Sequence, residues 1–362
     1  MPTHEPAKLE SECQIRREGR AGRITLNRPD ALNALTYGMV QDIATALAAW
    51  RKDPAVQVII LDGAGGRALC AGGDVISFYD ASPRGAKPDA TYAANFWRDE
   101  YRLNAAIKHC PKPYVAIMDG IVMGGGVGLA AHGRYRLVTE KTMVAMPETA
   151  IGLIPDVGGT WLLGHAQGRC GEYLGLTGAR MDGSDAIQAG FADCFVPRGE
   201  IAALVARLSD DKGGAIDDIM EAAADNPVPP SKLASAHALI SQIFAEDTVE
   251  AMHQMALGTT DPLAQRVASD LASKSPKALK LALAAIRQAR STPSLEAALT
   301  VEYRLVNRLY RDGEFVEGVR ALLIDKDKAP KWQPATLAAV TPQMISSYLA
   351  PLDGEDLTFP AP

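Results

Sequence analysis

Apolar positions in the first half of the chain follow two patterns. Short runs rich in β-branched residues, Val56–Asp62 and Tyr114–Met118, have the length and composition of strands buried on both faces. Longer stretches repeat apolar residues at helical spacing. Tyr37–Lys52 places Met39, Val40, Ile43, Leu47 and Trp50 on one face, behind an N-capping Thr36, and stops at Asp53-Pro54. Trp97–Lys108 is a second amphipathic helix, ended by Lys112-Pro113. Gln14–Asn27 reads as a hairpin edge broken by Gly19 and Gly22, and Gly63–Asp74 as a loop. A glycine cluster precedes a small-residue helix over Val127–Ala131, and Tyr135–Thr139 and Met143–Met146 read as short strands. Strand, loop and helix thus alternate, which predicts an α/β region. Past Pro197 the pattern is helical throughout: Ile201–Leu208, Ala215–Ala224, Lys232–Phe244, Thr248–Leu257, Leu263–Ala272, Lys277–Ala289, Leu295–Arg311 and Gly318–Ile324. Ser275-Pro276 opens one of these with proline at its first position.

Composition narrows the class without naming a function. The 47% hydrophobic and 22% charged fractions are those of an ordinary globular protein, and the net charge of -6 weighs against a nucleic-acid surface. No apolar run reaches the roughly 18 residues of a membrane span. Residues 1–12 carry neither a signal-like apolar core nor an Arg-rich transit pattern. The five cysteines, an odd number without CxxC spacing, predict free thiols and a reducing cytoplasm. The six histidines are scattered, with no HExxH, so no metal site is expected. No GxGxxG follows the first strand, which disfavours a dinucleotide fold.

The candidate chemistry lies in three stretches. Met143–Thr160 carries two acids, Glu148 and Asp156, among apolar residues, glycine and proline, and contains no Lys or Arg to pair with them. Cys70–Asp74 (CAGGD) and Met123–Gly128 (MGGGVG) can present free backbone N–H groups to an oxyanion, with Asp74 as the cap of the following helix. Each stretch has an ordinary reading as well: tight strand–helix packing for the glycines, structural acids for the carboxylates. Glu100, flanked by Asp99 and Arg102, reads by default as part of a solvated helix face. Cys70 has no histidine at a spacing that would make it a nucleophile.

In order along the chain, LNRPDALNAL, CAGGD, MDGIVMGGGVGLAAHG, MPETAIGLIPDVGG and LTGARMDGSDAIQAGFAD resemble the crotonase (enoyl-CoA hydratase/isomerase) superfamily. The resemblance implies a crotonase-type spiral of ββα turns over residues 10–200, a helical region over 201–335 that completes the pocket, and a tail over 336–362. It implies an acyl-CoA substrate held by an oxyanion hole of Gly73 and Gly125, with Glu148 and Asp156 as catalytic acids and Glu100 and Gly125 as substrate contacts. No cofactor is implied beyond the coenzyme A of the substrate. Partners are expected to be neither nucleic acid nor membrane, and the family's habit suggests a homo-oligomer, a trimer or a multiple of one. MGGGVGL, the PDVGG run and EGVRALLIDKD resemble the branch that hydrolyses small β-hydroxyacyl-CoA thioesters, foremost 3-hydroxyisobutyryl-CoA of valine breakdown. A hydratase of this family would carry a second glutamate where this chain has Gly128, and usually glycine where it has Asp156. The alternatives are a hydratase or isomerase of short enoyl-CoA esters and a non-enzymatic RNA-binding relative. Whether Glu148 acts as nucleophile or general base stays open.

Overall fold

A computed structural model describes residues 11–82, 90–354 and 356–360; residues 1–10, part of the leader reading above, lie outside them. Two sheets form the frame. The larger is ordered β1 (Cys13–Glu18), β2 (Ala21–Leu26), β3 (Val58–Gly63), β5 (Tyr114–Met118), β7 (Tyr135–Val138), β10 (Cys194–Phe195). β1 and β2 make the expected hairpin, and from β2 onward every pairing is parallel. The smaller sheet is ordered β4 (Ala68–Cys70), β6 (Ile121–Met123), β8 (Met143–Ala145), β9 (Met181–Asp182), with β4, β6 and β8 parallel and β9 antiparallel to β8. β3–β4, β5–β6 and β7–β8 are successive pairs in which the first strand joins the large sheet and the second the small one. That repeat is the expected ββα spiral.

The apolar runs are continuous because both faces of the large sheet are covered. Val58, Ile60, Val115, Ile117 and Leu137 join one apolar cluster, whereas Ile59, Leu61, Ala116 and Met118 join the main core. Around the sheets lie α1 (Tyr37–Trp50), α2 (Val75–Asp80), α3 (Ala90–Lys108), α4 (Gly125–Ala130), α5 (Gly159–His165), α6 (Cys170–Thr177) and α7 (Gly183–Gln188). α8 (Arg198–Ser209) and α9 (Ile216–Ala224) cover the outer face of the large sheet through Leu204, Val205, Leu208, Ile219 and Met220. α10 (Lys232–Phe244), α11 (Val249–Leu257), α12 (Pro262–Ser273) and α13 (Pro276–Ala289) follow, then α14 (Leu295–Arg311) and α15 (Glu314–Val319), which runs into a π turn at Arg320–Ile324. Thr36 and Ser275 cap α1 and α13 as the sequence predicts.

Several expectations change. α3 begins at Ala90, and the 63–74 loop contains β4. Of the expected tail, residues 336–354 and 356–360 are docked: α16 (Pro342–Leu349) packs on α14, Arg304 pairs with Asp356 at 2.5 Å, and Leu352 and Leu357 are buried. Asp74 stands before α2 but its side chain caps nothing; its carboxylate instead accepts from Arg28 Nη2 at 3.1 Å.

Candidate active site

Three neighbouring parallel strands of the small sheet deliver the site at their carboxyl ends, the usual place for ligands in parallel sheets. β4 ends at Cys70 and leads to Gly73; β6 ends at Met123 and leads to Gly125; β8 ends at Ala145 and leads to Glu148. A parallel bridge from Leu35 fixes the first of these: Leu35 N–H donates to Gly72 C=O at 2.8 Å and Asp74 N–H to Leu35 C=O at 2.9 Å. That pairing spans Gly73, whose N–H has no acceptor among the described residues. Gly125 is the first residue of α4, where helix N–H groups have no helical partner. The two backbones are close, since a Cβ on Gly125 would stand 3.4 Å from Gly73 N.

Glu148 opens a 3-10 turn, Glu148–Ile151, just after β8. α15 presses on that turn: a Cβ on Gly318 would stand 2.3 Å from Ile151 C, so only glycine permits the approach. Glu148 is 6% exposed and its Oε2 has no partner among the described residues. Its other carboxyl oxygen lies beside Gly124, where a Cβ would come within 3.0 Å of it. Asp156, 5% exposed, accepts from Tyr101 Oη at 2.8 Å. Glu100 is 2% exposed and points inward, with Oε1 2.8 Å from where a Cβ of Gly125 would be. The solvated-face reading of Glu100 is therefore overturned. Trp97, Glu100 and Tyr101 share the buried side of α3, while Asp99 pairs outward with Arg98 at 2.9 Å.

All five predicted residues, Gly73, Gly125, Glu100, Glu148 and Asp156, line one cavity of ≈ 320 Å³. Its apolar wall includes Phe78, Phe96, Trp97 and Phe315, with the partly exposed Leu322 and Leu323 after α15. No Lys, Arg or His is among the described residues that line it. Loss of a proton is consequently disfavoured at all three acids. Burial, with Asp156 as the added negative charge, pushes Glu100 and Glu148 well above the usual carboxylate range. Burial raises Asp156 to about 7, and the Tyr101 hydroxyl opposes that rise. Cys70 is a buried thiol pushed up to about 12, chiefly by desolvation, which removes it as a nucleophile.

Position 128 decides between two patterns of acids. A Cβ on Gly128 would stand 2.7 Å from Val157 Cβ and 2.8 Å from Asn104 Nδ2, so a glutamate does not fit there without rearrangement. Sequence reading missed Tyr101 and the aromatic wall. The available signal was the spacing of Trp97, Glu100 and Tyr101, which puts an acid on the apolar stripe of a helix.

Comparison with known proteins agrees with this architecture. The family model described as enoyl-CoA hydratase/isomerase matches residues 21–349. A relative from Gallus gallus, named 3-hydroxyisobutyryl-CoA hydrolase, mitochondrial, is 42% identical over 96% of this chain and 91% of its own. The crystal structure of an enoyl-CoA hydratase from Rhodobacter sphaeroides superposes with a TM-score of 0.91 at 44% identity, covering 96% of this chain and 100% of that one. That of a carnitinyl-CoA dehydratase from Mycobacterium thermoresistibile gives 0.90 at 45%, covering 97% and 99%. These names span hydrolysis, hydration and dehydration, so the reaction has to be argued from the site. The family model spans most of the chain and these relatives match it over nearly its whole length: the chain belongs to the enoyl-CoA hydratase/isomerase, or crotonase, family.

Proposed function

We propose that the protein hydrolyses a small β-hydroxyacyl-CoA thioester, 3-hydroxyisobutyryl-CoA foremost, to the free hydroxy acid and coenzyme A. One observation carries this reading. Among the described residues, a single cavity pairs two backbone N–H groups that have no acceptor with buried Glu148 and Asp156 that have no cation beside them, while Gly128 has no room for a second hydratase glutamate. The thioester oxygen sits between the N–H groups of Gly73 and Gly125, which stabilise the charge that develops as the carbonyl is attacked. Glu148 either attacks the carbonyl itself, giving an anhydride that water opens, or takes the proton from an attacking water. In both routes a C–O bond forms, the C–S bond breaks and the thiolate leaves to be protonated. Asp156 accepts the hydrogen bond of the substrate hydroxyl, and Glu100 contacts the acyl group. This chemistry requires water and no metal or redox group. The relatives named as hydrolases support the reading. We place the protein in the cytoplasm; its five free thiols fit a reducing compartment, although the relatives carry "mitochondrial" in their names.

The hydratase and dehydratase names of two structural neighbours favour a second reading, water addition to an enoyl-CoA, which the crowded Gly128 opposes. A thiol-release assay separates the two. 3-Hydroxyisobutyryl-CoA should give free thiol faster than isobutyryl-CoA, by about 10-fold or more for a charge-assisted hydrogen bond of about 1.5–3 kcal/mol. Crotonyl-CoA should show no comparable loss of enoyl absorbance. Hydration faster than thiol release would overturn the proposal.

A further inference from the structure

Asp156 is followed by backbone that resists its own conformation. Val157 has φ 54 and Gly158 φ 77, two consecutive left-handed residues, the first of them β-branched. Such geometry persists where the surroundings over-determine it. Here two buried side chains hold it. On one side His132 Nε2 donates to Val157 C=O at 2.8 Å. On the other the turn directs two backbone N–H groups at Glu302 of α14: Gly158 N–H to Oε2 at 2.7 Å and Thr160 N–H to Oε1 at 2.9 Å. The Thr160 hydroxyl donates to the same Oε1. Glu302 is 0% exposed and does not line the cavity. Between those anchored amides, Gly159 N–H donates to Asp156 C=O at 2.6 Å, so the turn closes directly on the acid's own peptide.

We propose that Glu302 is a positioning residue for Asp156: its carboxylate gathers the Gly158 and Thr160 donors, fixes the left-handed turn, and thereby sets where the Asp156 carboxylate meets substrate. The inference rests on the assignment of Asp156 under the proposed function. Among the described residues Tyr101 supplies the one side-chain hydrogen bond to the Asp156 carboxylate, so the rest of its orientation comes from the backbone. A carboxylate suits the task because three donors converge on two acceptor oxygens. Glutamine at 302 would keep the volume but turn an NH₂ group onto one of the N–H donors. A bland role is also visible, since Glu302 satisfies orphan N–H groups at the start of α5. The test must separate stability from positioning.

A double-mutant cycle does so. Glu302→Gln should lower kcat for thioester hydrolysis ~30-fold with KM within ~3-fold, yet lower the residual kcat of Asp156→Asn by no more than ~2-fold. A loss of folded enzyme would scale both backgrounds equally. Should Glu302→Gln fail to melt cooperatively, Thr160 tests the same clamp. Thr160→Ala removes one donor and should cost ~3–5-fold in kcat, whereas Thr160→Ser, which restores the hydroxyl, should stay within ~2-fold of the parent. Equal losses in both backgrounds, or a Thr160→Ala protein as active as Thr160→Ser, would overturn the proposal. An Asp156→Asn protein with full activity would remove the assignment of Asp156 itself, and this proposal with it.

Discussion

Glu148 and Glu172 are both buried glutamates and have opposite surroundings. Glu172, 0% exposed on α6, is gripped by Arg169 at 3.0 Å, Arg290 at 2.6 Å and Arg287 at 3.7 Å, tying α6 to α13. Among the described residues Glu148 has no cation beside it and one oxygen without a partner, and a neighbouring acid repels its charge. The first arrangement compensates a buried charge and braces two helices. The second leaves a carboxyl uncompensated at the wall of a cavity, which is expected where the missing partner is a substrate. Burial alone does not distinguish structure from chemistry; the supply of counter-charge and hydrogen-bond donors does.

The contrast breaks most sharply with a pair of isosteric changes. Glu148→Gln should lower the rate of thiol release by ~10³-fold, within the range of losing a positioned acid–base or nucleophilic group, while the protein still melts cooperatively. Gly125→Pro should cost ~10²–10³-fold, the loss expected for one oxyanion donor. The proline ring suits the first helical position that Gly125 occupies, its Cβ would also press on Glu100 Oε1 at 2.8 Å and add to the loss, and circular dichroism would verify the fold. Glu172→Gln should do the reverse. It should reduce stability by ~1–3 kcal/mol, less than a fully buried pair because the arginines can hydrate, and leave kcat of the folded enzyme unchanged. Urea melts of both glutamine variants would show the crossover, and a Glu148→Gln protein as destabilised as Glu172→Gln would remove the distinction.

The smallest effect is in the pH dependence of stability. Asp156 is raised to about 7 by burial, so the folded protein holds a proton that the unfolded chain has released above the ordinary carboxylate range. Stability from this group is present below that range and is lost as pH rises toward 7. Between pH 5 and 8 the melting temperature of Asp156→Asn should therefore fall less than that of the parent. An identical fall in both would place the Asp156 carboxyl in contact with water.

Much of this was legible in the chain. The runs 56–62 and 114–118 announced strands buried on both faces, and the acid-bearing segment without Lys or Arg left an uncompensated pair as one of two open readings. Strands of two or three residues, such as β4, β6 and β9, are too short to show a period. They were fixed by their neighbours in the sheet, not by local pattern. α5 and α6 begin with glycine or run through it, which weakens the helical signal. Glu100 was obscured because Asp99 and Arg102 beside it do face outward. The turn contacts of α14 and α15 join residues far apart in sequence, so neither Glu302 nor Gly318 carried a local mark. Those contacts also mean that a division at residue 200 separates walls of one site.

The pH–rate profile tests the central claim most directly. kcat/KM for thiol release from 3-hydroxyisobutyryl-CoA reports the free enzyme's ionisations, here macroscopic values shared by Glu100, Glu148 and Asp156. With no Lys, Arg or His among the described residues of the cavity, activity should rise with pH through an inflection well above the ordinary carboxylate range. The limb should move to lower pH in Asp156→Asn, where the charge that opposes ionisation of Glu148 is gone. An inflection near the ordinary carboxylate value of about 4.3, unmoved by that substitution, would mean that Glu148 is compensated as Glu172 is, and would contradict the account.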